Sequence, residues 1–285
     1  MPGGAAVSRL TIRGVEIEYD LLGKASDPAA VLTVGGRFSK DIPGSPELGR
    51  LLAQGGRRVL LWDRPNCGAS DLCFDAENES ILGADILAAL IQELGLGPTA
   101  LVGGSAGARL SMITASRHPE LISHLALLWI SGGPIGLLAL AHYYCVGHAI
   151  AASKGGMEAV AALWPQEIAR NPRNRAILLR QDPAAFIETM GRWAEFYVPP
   201  KDSPVPGMSP AQFKRLTMPT LVFRSSDRDL AHPRRTSEWV HAMIPGSRLV
   251  EPPWGENEWN ERSQVGEFCL GWPRLAPQIL EFLQR

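Results

Sequence analysis

The sequence has no excess of charge of either sign: 28 lysine and arginine residues stand against 29 aspartate and glutamate residues. This balance gives no reason to expect a nucleic acid or an anionic membrane surface as a partner. A long apolar run is missing as well. The richest stretch, residues 132–152, is interrupted by two histidines and several glycines. A membrane-spanning helix needs about 18 or more consecutive apolar residues, so no membrane partner is expected.

Cysteine is scarce, with four residues in a chain of 285. Cys67, Cys73, Cys145 and Cys269 show no metal-ligand spacing, and in a chain of this length they are interpreted as free thiols of a reducing compartment. The first 20 residues lack the charged-then-apolar pattern of a signal peptide. These features predict a cytoplasmic protein, and no metal or organic cofactor is implied.

Short apolar runs alternate with helical spacing along most of the chain. The runs "AAVLTVGG", "RRVLLW", "TALVGG", "HLALLW" and "TLVF" predict buried strands, and "SRLTIRGVEIEYDLLG" predicts an N-terminal hairpin. Continuously apolar strands that alternate with helices indicate an α/β fold with a mostly parallel sheet covered on both faces. We therefore expect an α/β core formed by residues 1–132 and 216–285.

The alternation of strand and helix patterns is interrupted in residues 133–215, which we name the cap segment. It has helical spacing, many aromatic residues and a Pro-rich end, "VPPKDSPVPGMSP". These features predict a helical cap or lid inserted between two core strands. The alternative is that the segment continues the wrapping of the core.

The stretch "LVGGSAGARL" is the sharpest chemical signal. An apolar strand runs into Gly103, Gly104, Ser105, Ala106 and Gly107 and then into a helix. This is the G-x-S-x-G pattern, in which glycine lets strand and helix approach closely and the turn exposes the central hydroxyl. The pattern predicts Ser105 as a nucleophile. The Ala106 N–H and the helix N-terminus would then face a developing oxyanion.

Here the chain resembles the α/β-hydrolase superfamily, in the cap-bearing subgroup that includes esterases, lactonases and epoxide hydrolases. In that family the glycine pair in "TVGGRF" supplies the second oxyanion-hole N–H, which the resemblance assigns to Gly36. Arg37 follows and could meet an anionic group of a substrate. The segment "WDRPNCGASD" resembles a structural turn of the family, so Cys67 is interpreted as a free, partly buried thiol.

The acidic member of a catalytic triad is expected in "SSDRDLAHP", after the strand "LVF". Counting from the end of the strand favours Asp227, and counting back from Pro233 with the family's spacing favours Asp229. We lean to Asp229. In the triad such a carboxylate orients an imidazole and stabilises its protonated form.

The expected base is missing from its usual place. In the family, the catalytic His follows the last strand in a pattern that "RLVEPPWGENEW" resembles. In this sequence Glu256 occupies the position of that His. Imidazole, with a pKa of about 6.5, suits the removal of a serine proton, whereas a glutamate near 4.3 is a much weaker base. A serine mechanism therefore needs a base from elsewhere, or the reaction differs.

Four hypotheses compete. The base is relocated to His232, after the acidic turn, or to His142, in the cap segment; His118 and His124 lie too far from the predicted site. Alternatively, Glu256 is itself the acid and base of a non-hydrolytic lyase, cyclase or isomerase. The third hypothesis is a protein that binds a ligand without turnover, and the fourth is a glutamate introduced to trap substrate.

Aromatic residues predict an apolar pocket for a small hydrophobic substrate, cyclic substrates included. The candidate binding residues are Arg37, His142, Tyr143, Trp164, Trp193 and Trp254. Taken together, the sequence predicts a hydrolase of ester, lactone or related acyl bonds. Whether the protein forms a homodimer is left open by the sequence.

Overall fold

A computed structural model describes residues 8–284. Its centre is one sheet of eight strands in the order β1-β2-β4-β3-β5-β6-β7-β8. The first two strands form the expected hairpin, β2 pairs antiparallel with β4, and the remaining pairs are parallel. The strands are β1 (Ser8–Ile12), β2 (Val15–Leu22), β3 (Ala29–Thr33), β4 (Arg58–Trp62), β5 (Thr99–Gly104), β6 (Ile122–Leu128), β7 (Thr220–Phe223) and β8 (Arg248–Val250). The predicted α/β class is confirmed.

Helices follow or separate these strands. They are α1 (Ser45–Gln54), α2 (Glu79–Glu93), α3 (Ala106–Arg117), α4 (Pro134–Ala141), α5 (Gly147–Ala161), α6 (Pro165–Arg170), α7 (Arg173–Leu179), α8 (Pro183–Glu195), α9 (Pro210–Phe213), α10 (Arg234–Met243), α11 (Glu258–Val265) and α12 (Ala276–Leu283). A π-helical turn, His142–Val146, joins α4 to α5.

Two apolar clusters cover the two faces of the sheet. Successive side chains of a strand point to opposite faces, so Val31 of β3 joins the cluster that contains α2 and α3 residues. Its neighbours Ala30 and Leu32 join the cluster that contains α1 and α12 residues. Burial on both faces explains why the parallel strands are continuously apolar.

Helices α4 to α9 all lie between β6 and β7, within the cap segment. Many of their buried residues form a third apolar cluster, which includes Leu72 and Phe74 of the core. Phe74 packs against the rings of Trp164, Phe186 and Trp193. The helical content agrees with the predicted segment, while its role as a separate cap or lid stays a prediction.

One helical run in the described residues, Pro134–Arg170, is long and apolar enough by composition to cross a membrane. Its most apolar window has a mean hydropathy of 1.5 and is 39% buried. The run bends at Gly155 and Gly156, whose backbone angles are not helical. Core helices of soluble proteins meet the same criterion, so the expectation of no membrane partner stays a prediction.

Candidate active site

Ser105 occupies a sharp turn between β5 and α3. Its φ is 55° and its ψ −117°, a conformation that costs free energy for a residue with a side chain. The glycines on either side make the turn sterically feasible. A Cβ on Gly103 would lie 2.5 Å from the Gly107 carbonyl oxygen, and one on Gly107 would collide with the Thr33 carbonyl. The strand–turn–helix context predicted for the motif is therefore present.

Ser105 begins a hydrogen-bonded chain of three side chains. Its Oγ lies 2.9 Å from Nε2 of His232, and Nδ1 of His232 lies 2.8 Å from Oδ2 of Asp229. Because a carboxylate only accepts, Nδ1–H donates to Asp229, and Nε2 is left to accept the serine proton. His232 and Asp229 are both 2% exposed, so water is largely kept from this chain.

Asp229 is held by the backbone of its own loop. Its Oδ1 accepts hydrogen bonds from the N–H groups of Ala231, at 2.9 Å, and His232, at 3.0 Å. One oxygen thus closes the turn while the other orients the imidazole. These hydrogen bonds fix the geometry of the pair His232 and Asp229, which are three residues apart.

Aromatic rings enclose the imidazole of His232. The ring of Trp259 meets it edge to face with the centroids 4.4 Å apart, and Trp129 lies nearly parallel to it at 6.2 Å. Trp129 itself has a φ of 46°, which is uncommon for a bulky residue. These indoles restrict the orientations that the imidazole can adopt.

Glu256 and Asp227 lie outside this chain. Arg234 pairs with the Glu256 carboxylate and lies 3.2 Å from Oδ2 of Asp227, whose side chain is 70% exposed. The Asp227 N–H also donates to Glu256. A hydrogen bond from Ser226, with the charge of Arg234, lowers the pKa of the Glu256 carboxyl. Such an anion is a poor proton acceptor, so the structure favours neither residue for the predicted catalytic roles.

A cavity of about 280 Å³ adjoins Ser105 and His232. Its wall is mainly apolar and aromatic, as predicted, and includes Tyr143. The lining residues are Gly35, Gly36, Phe38, Ser105, Trp129, Leu140, Tyr143, Tyr144, Ala231, His232, Trp259, Phe268, Cys269 and Trp272.

The other predicted binding residues are dispersed. Arg37 and Trp164 line a neighbouring cavity, and Trp254 lines a small pocket with Asp229 and Glu256. Trp193 is buried in the third cluster, where its indole N–H donates to the Ala76 carbonyl at 3.1 Å. His142 is exposed on the π-helical turn. A direct role for Trp193 or His142 at Ser105 therefore has no support in the geometry.

Comparison with known proteins identifies the family. The family model for the alpha/beta hydrolase fold matches residues 34–218. This chain belongs to the α/β-hydrolase fold family.

Relatives of this α/β hydrolase are named hydrolases. An sn-1-specific diacylglycerol lipase of Mus musculus is 31% identical over 50% of this chain and 44% of its own length. A protein of Klebsiella pneumoniae subsp. pneumoniae named as a carbamate hydrolase is 30% identical over 60% of this chain and 63% of its own. The chain thus spans less than two thirds of the length of these two relatives.

A solved structure extends the likeness of fold to nearly the whole chain. The enol-lactonase from Burkholderia xenovorans LB400 superposes with a TM-score of 0.61, covering 98% of this chain and 100% of that one at 19% identity. Identity this low shows the fold and not the substrate.

The sequence analysis missed two polar residues of this α/β hydrolase's site. Ser131 is fully buried with its Oγ 3.1 Å from Oγ of Ser105, and Arg64 donates to the carbonyls of Gly35 and Gly36. A signal for Ser131 did exist. It follows β6, next to β5 in the sheet, and polar residues beyond the carboxyl ends of parallel strands converge on one edge.

Proposed function

We propose that this α/β hydrolase cleaves a small hydrophobic ester, lactone or related acyl bond through Ser105. His232 is the general base and Asp229 orients it. The observation that carries the proposal is the continuous hydrogen-bonded chain from Ser105 through His232 to Asp229. This is the arrangement that activates a serine hydroxyl in acyl transfer.

The reaction runs in two halves. Oγ of Ser105 attacks the carbonyl carbon while Nε2 of His232 takes the hydroxyl proton, and the protonated imidazole then gives that proton to the leaving oxygen. Next, a water molecule attacks the acyl-enzyme while the same imidazole takes its proton. The imidazolium returns that proton to Oγ of Ser105 as the bond between Oγ and the acyl carbon breaks and the acid is released. Asp229 stays ionised throughout and stabilises the imidazolium.

The oxyanion is assigned to the N–H groups of Gly36 and Ala106. Ala106 is the first residue of α3, so its N–H has no acceptor within the helix. The Gly35 carbonyl is held by Arg64, and in a trans peptide the Gly36 N–H points away from that carbonyl. Arg64 thereby supports one fixed orientation of this donor, as electrostatic stabilisation requires.

The apolar wall of the cavity supports the class of substrate. Aromatic and aliphatic side chains surround the reacting groups, which favours the binding of a hydrophobic acyl or ring system over that of a sugar or a phosphate. The relatives' names agree with acyl chemistry, since they include a lipase and a carbamate hydrolase.

Active-site labelling and ester hydrolysis test the proposal together. The wild-type protein is expected to react with a fluorophosphonate probe and to hydrolyse p-nitrophenyl butyrate. Ser105→Ala should abolish labelling, and His232→Gln should lower kcat by about 10,000-fold or more. His241→Gln is the matched control, because His241 lies in α10 and hydrogen-bonds to Ser247 in the loop that follows this helix. A wild-type protein without labelling, or a His232→Gln variant with normal turnover, would overturn the proposal.

A further inference from the structure

A second cavity, of about 230 Å³, lies beside the catalytic one and shares Phe38 and Tyr143 with it. A larger share of its wall is polar than in the catalytic cavity. Its lining residues are Arg37, Phe38, Tyr143, His148, Leu163, Trp164, Pro165, Gln166 and Glu167. A substrate that reaches from Ser105 past the two shared rings would enter this space.

Three side chains of this cavity carry buried nitrogens without a hydrogen-bond partner in residues 8–284: Arg37 at Nε, His148 at Nδ1 and Trp164 at Nε1. Tyr144, in the wall of the catalytic cavity, has an unpartnered hydroxyl as well. A buried polar group without a partner costs about 1–3 kcal/mol, and most native proteins contain few of them. Of the fifteen such atoms in residues 8–284, five belong to side chains that line these two adjoining cavities: the four above and Nε1 of Trp272. A ligand that spans both cavities would offer them partners.

All three nitrogens are donors. Arg37 and tryptophan can only donate. The Arg37 guanidinium lies 3.1 Å from Nε2 of His148, so Nε2 accepts and the ring proton is on Nδ1. Burial, with the nearby charge of Arg37, lowers the pKa of His148 to about 3, which keeps the ring neutral. A ligand with acceptor oxygens would complement this set.

The guanidinium is held in place before any ligand binds. It stacks 4.0 Å from the Trp164 ring centroid and donates to the Tyr144 carbonyl at 3.0 Å. Glu79 lies 3.4 Å from it, and Glu167 lines the cavity with a pKa raised by burial. Glu79 therefore helps to hold the Arg37 guanidinium in its place.

We propose that Arg37, His148 and Trp164 form a subsite for a carboxylate at the end of the substrate remote from the scissile bond. The substrate class is thus a monoester or lactone with an apolar middle and a terminal carboxylate. This inference rests on the proposed function, because it places the scissile carbonyl at Ser105. The carboxylate oxygens would accept from N–H groups that otherwise have no partner.

A series of matched esters tests the subsite. Mono-4-nitrophenyl esters of succinate to suberate are compared with their methyl diesters and with alkanoate esters of equal length. We expect kcat/KM for the monoester with a free carboxylate, called the acid below, to exceed that for the methyl diester by about tenfold at the best chain length. A tenfold preference is the effect expected of one charge-assisted hydrogen bond. Equal rates for acid and diester would overturn the carboxylate assignment. Equal rates for all three would overturn the subsite.

Trp164→Phe keeps the ring and removes one donor, so the preference should fall at least about threefold. Trp193→Phe is the matched control, since that indole donates to Ala76 within the third cluster, and the preference should persist. A preference that survives Trp164→Phe contradicts the inference. The double variant Arg37→Gln/Glu79→Gln removes the ion pair as a unit, and should lose the preference while a thermal melt confirms folding.

The two proposals fail in different ways. Labelling and turnover without a preference for the acid overturn only the subsite. If no ester is turned over, the proposed function fails, and calorimetry with monomethyl glutarate still tests the subsite. Binding to the wild type that weakens at least about threefold in Trp164→Phe supports it, whereas no binding to the wild type overturns it.

Discussion

At the residue scale, one short loop supplies two members of the proposed triad. Asp229 and His232 are three residues apart, and the two oxygens of Asp229 serve the backbone and the imidazole separately. This placement removes the need for a His after β8. It also explains how Glu256 can occupy that place without loss of the proposed chemistry.

Asp229→Asn tests the orienting role. An amide NH₂ facing Nδ1 would favour the wrong tautomer, so kcat for p-nitrophenyl butyrate should fall by about 1,000- to 10,000-fold. Asp227→Asn is the matched control, because the Asp227 side chain is 70% exposed and pairs with Arg234. A loss under tenfold in Asp229→Asn would argue against the triad.

Glu256→Gln separates the two interpretations of that position. Because Glu256 is paired with Arg234 at the surface, kcat should stay within about threefold of the wild type and stability should change by less than about 1 kcal/mol. Steady-state kinetics and chemical denaturation measure both. A loss of kcat beyond about a hundredfold would restore Glu256 as the acid and base.

At the element scale, the approach of α3 to β3 depends on Gly107. In Gly107→Ala the new methyl group would meet the Thr33 carbonyl, and the free energy of unfolding should fall by about 1–3 kcal/mol. Gly191 is exposed within α8, and apart from its chain neighbours and the helix's own backbone no atom of residues 8–284 lies within 4 Å of an added Cβ. Gly191→Ala should therefore raise stability by about 0.5–1 kcal/mol. Urea titrations that rank the two variants in the opposite order would contradict this account of the turn.

At the scale of the whole molecule, His148 links stability to pH. Burial and the charge of Arg37 lower its folded pKa from 6.5 to about 3, so between these values the unfolded chain binds the extra proton. Stability should therefore decrease as the pH falls from 6.5 towards 3, by at most about 1.4 kcal/mol per pH unit. Asp63 acts in the opposite direction, since burial raises its pKa from 3.8 to about 6.

The variant His148→Gln isolates this contribution. Glutamine offers both an acceptor and a donor but does not titrate, and Asp63 is common to both proteins. Free energies of unfolding from urea titrations at pH 7, 6, 5 and 4 should show a shallower decline in the variant. Parallel curves would show that His148 does not carry the acid sensitivity.

Several features of the fold and the site could be predicted from sequence because they depend on nearby residues. Ser105 lies in a contiguous strand–glycine–serine–glycine–helix pattern, whose steric requirements involve mainly residues within the motif. The parallel sheet could be predicted for a similar reason, since strands buried on both faces must be continuously apolar. Asp229 was favoured from its spacing to Pro233, also a local measure.

Only the tertiary structure could distinguish His232 from the other candidates. His232 is 127 positions from Ser105, and local spacing cannot show which distant imidazole meets a given hydroxyl. The same holds for Arg37 and Trp164, which were predicted near the substrate but lie in a second cavity. The sequence alone determined the α/β core and the turn that presents Ser105, because those follow from local sterics and burial. The partner of Ser105 was decided by the packing of the β6, β7 and β8 loops at one edge of the sheet, because only folding brings such distant side chains together.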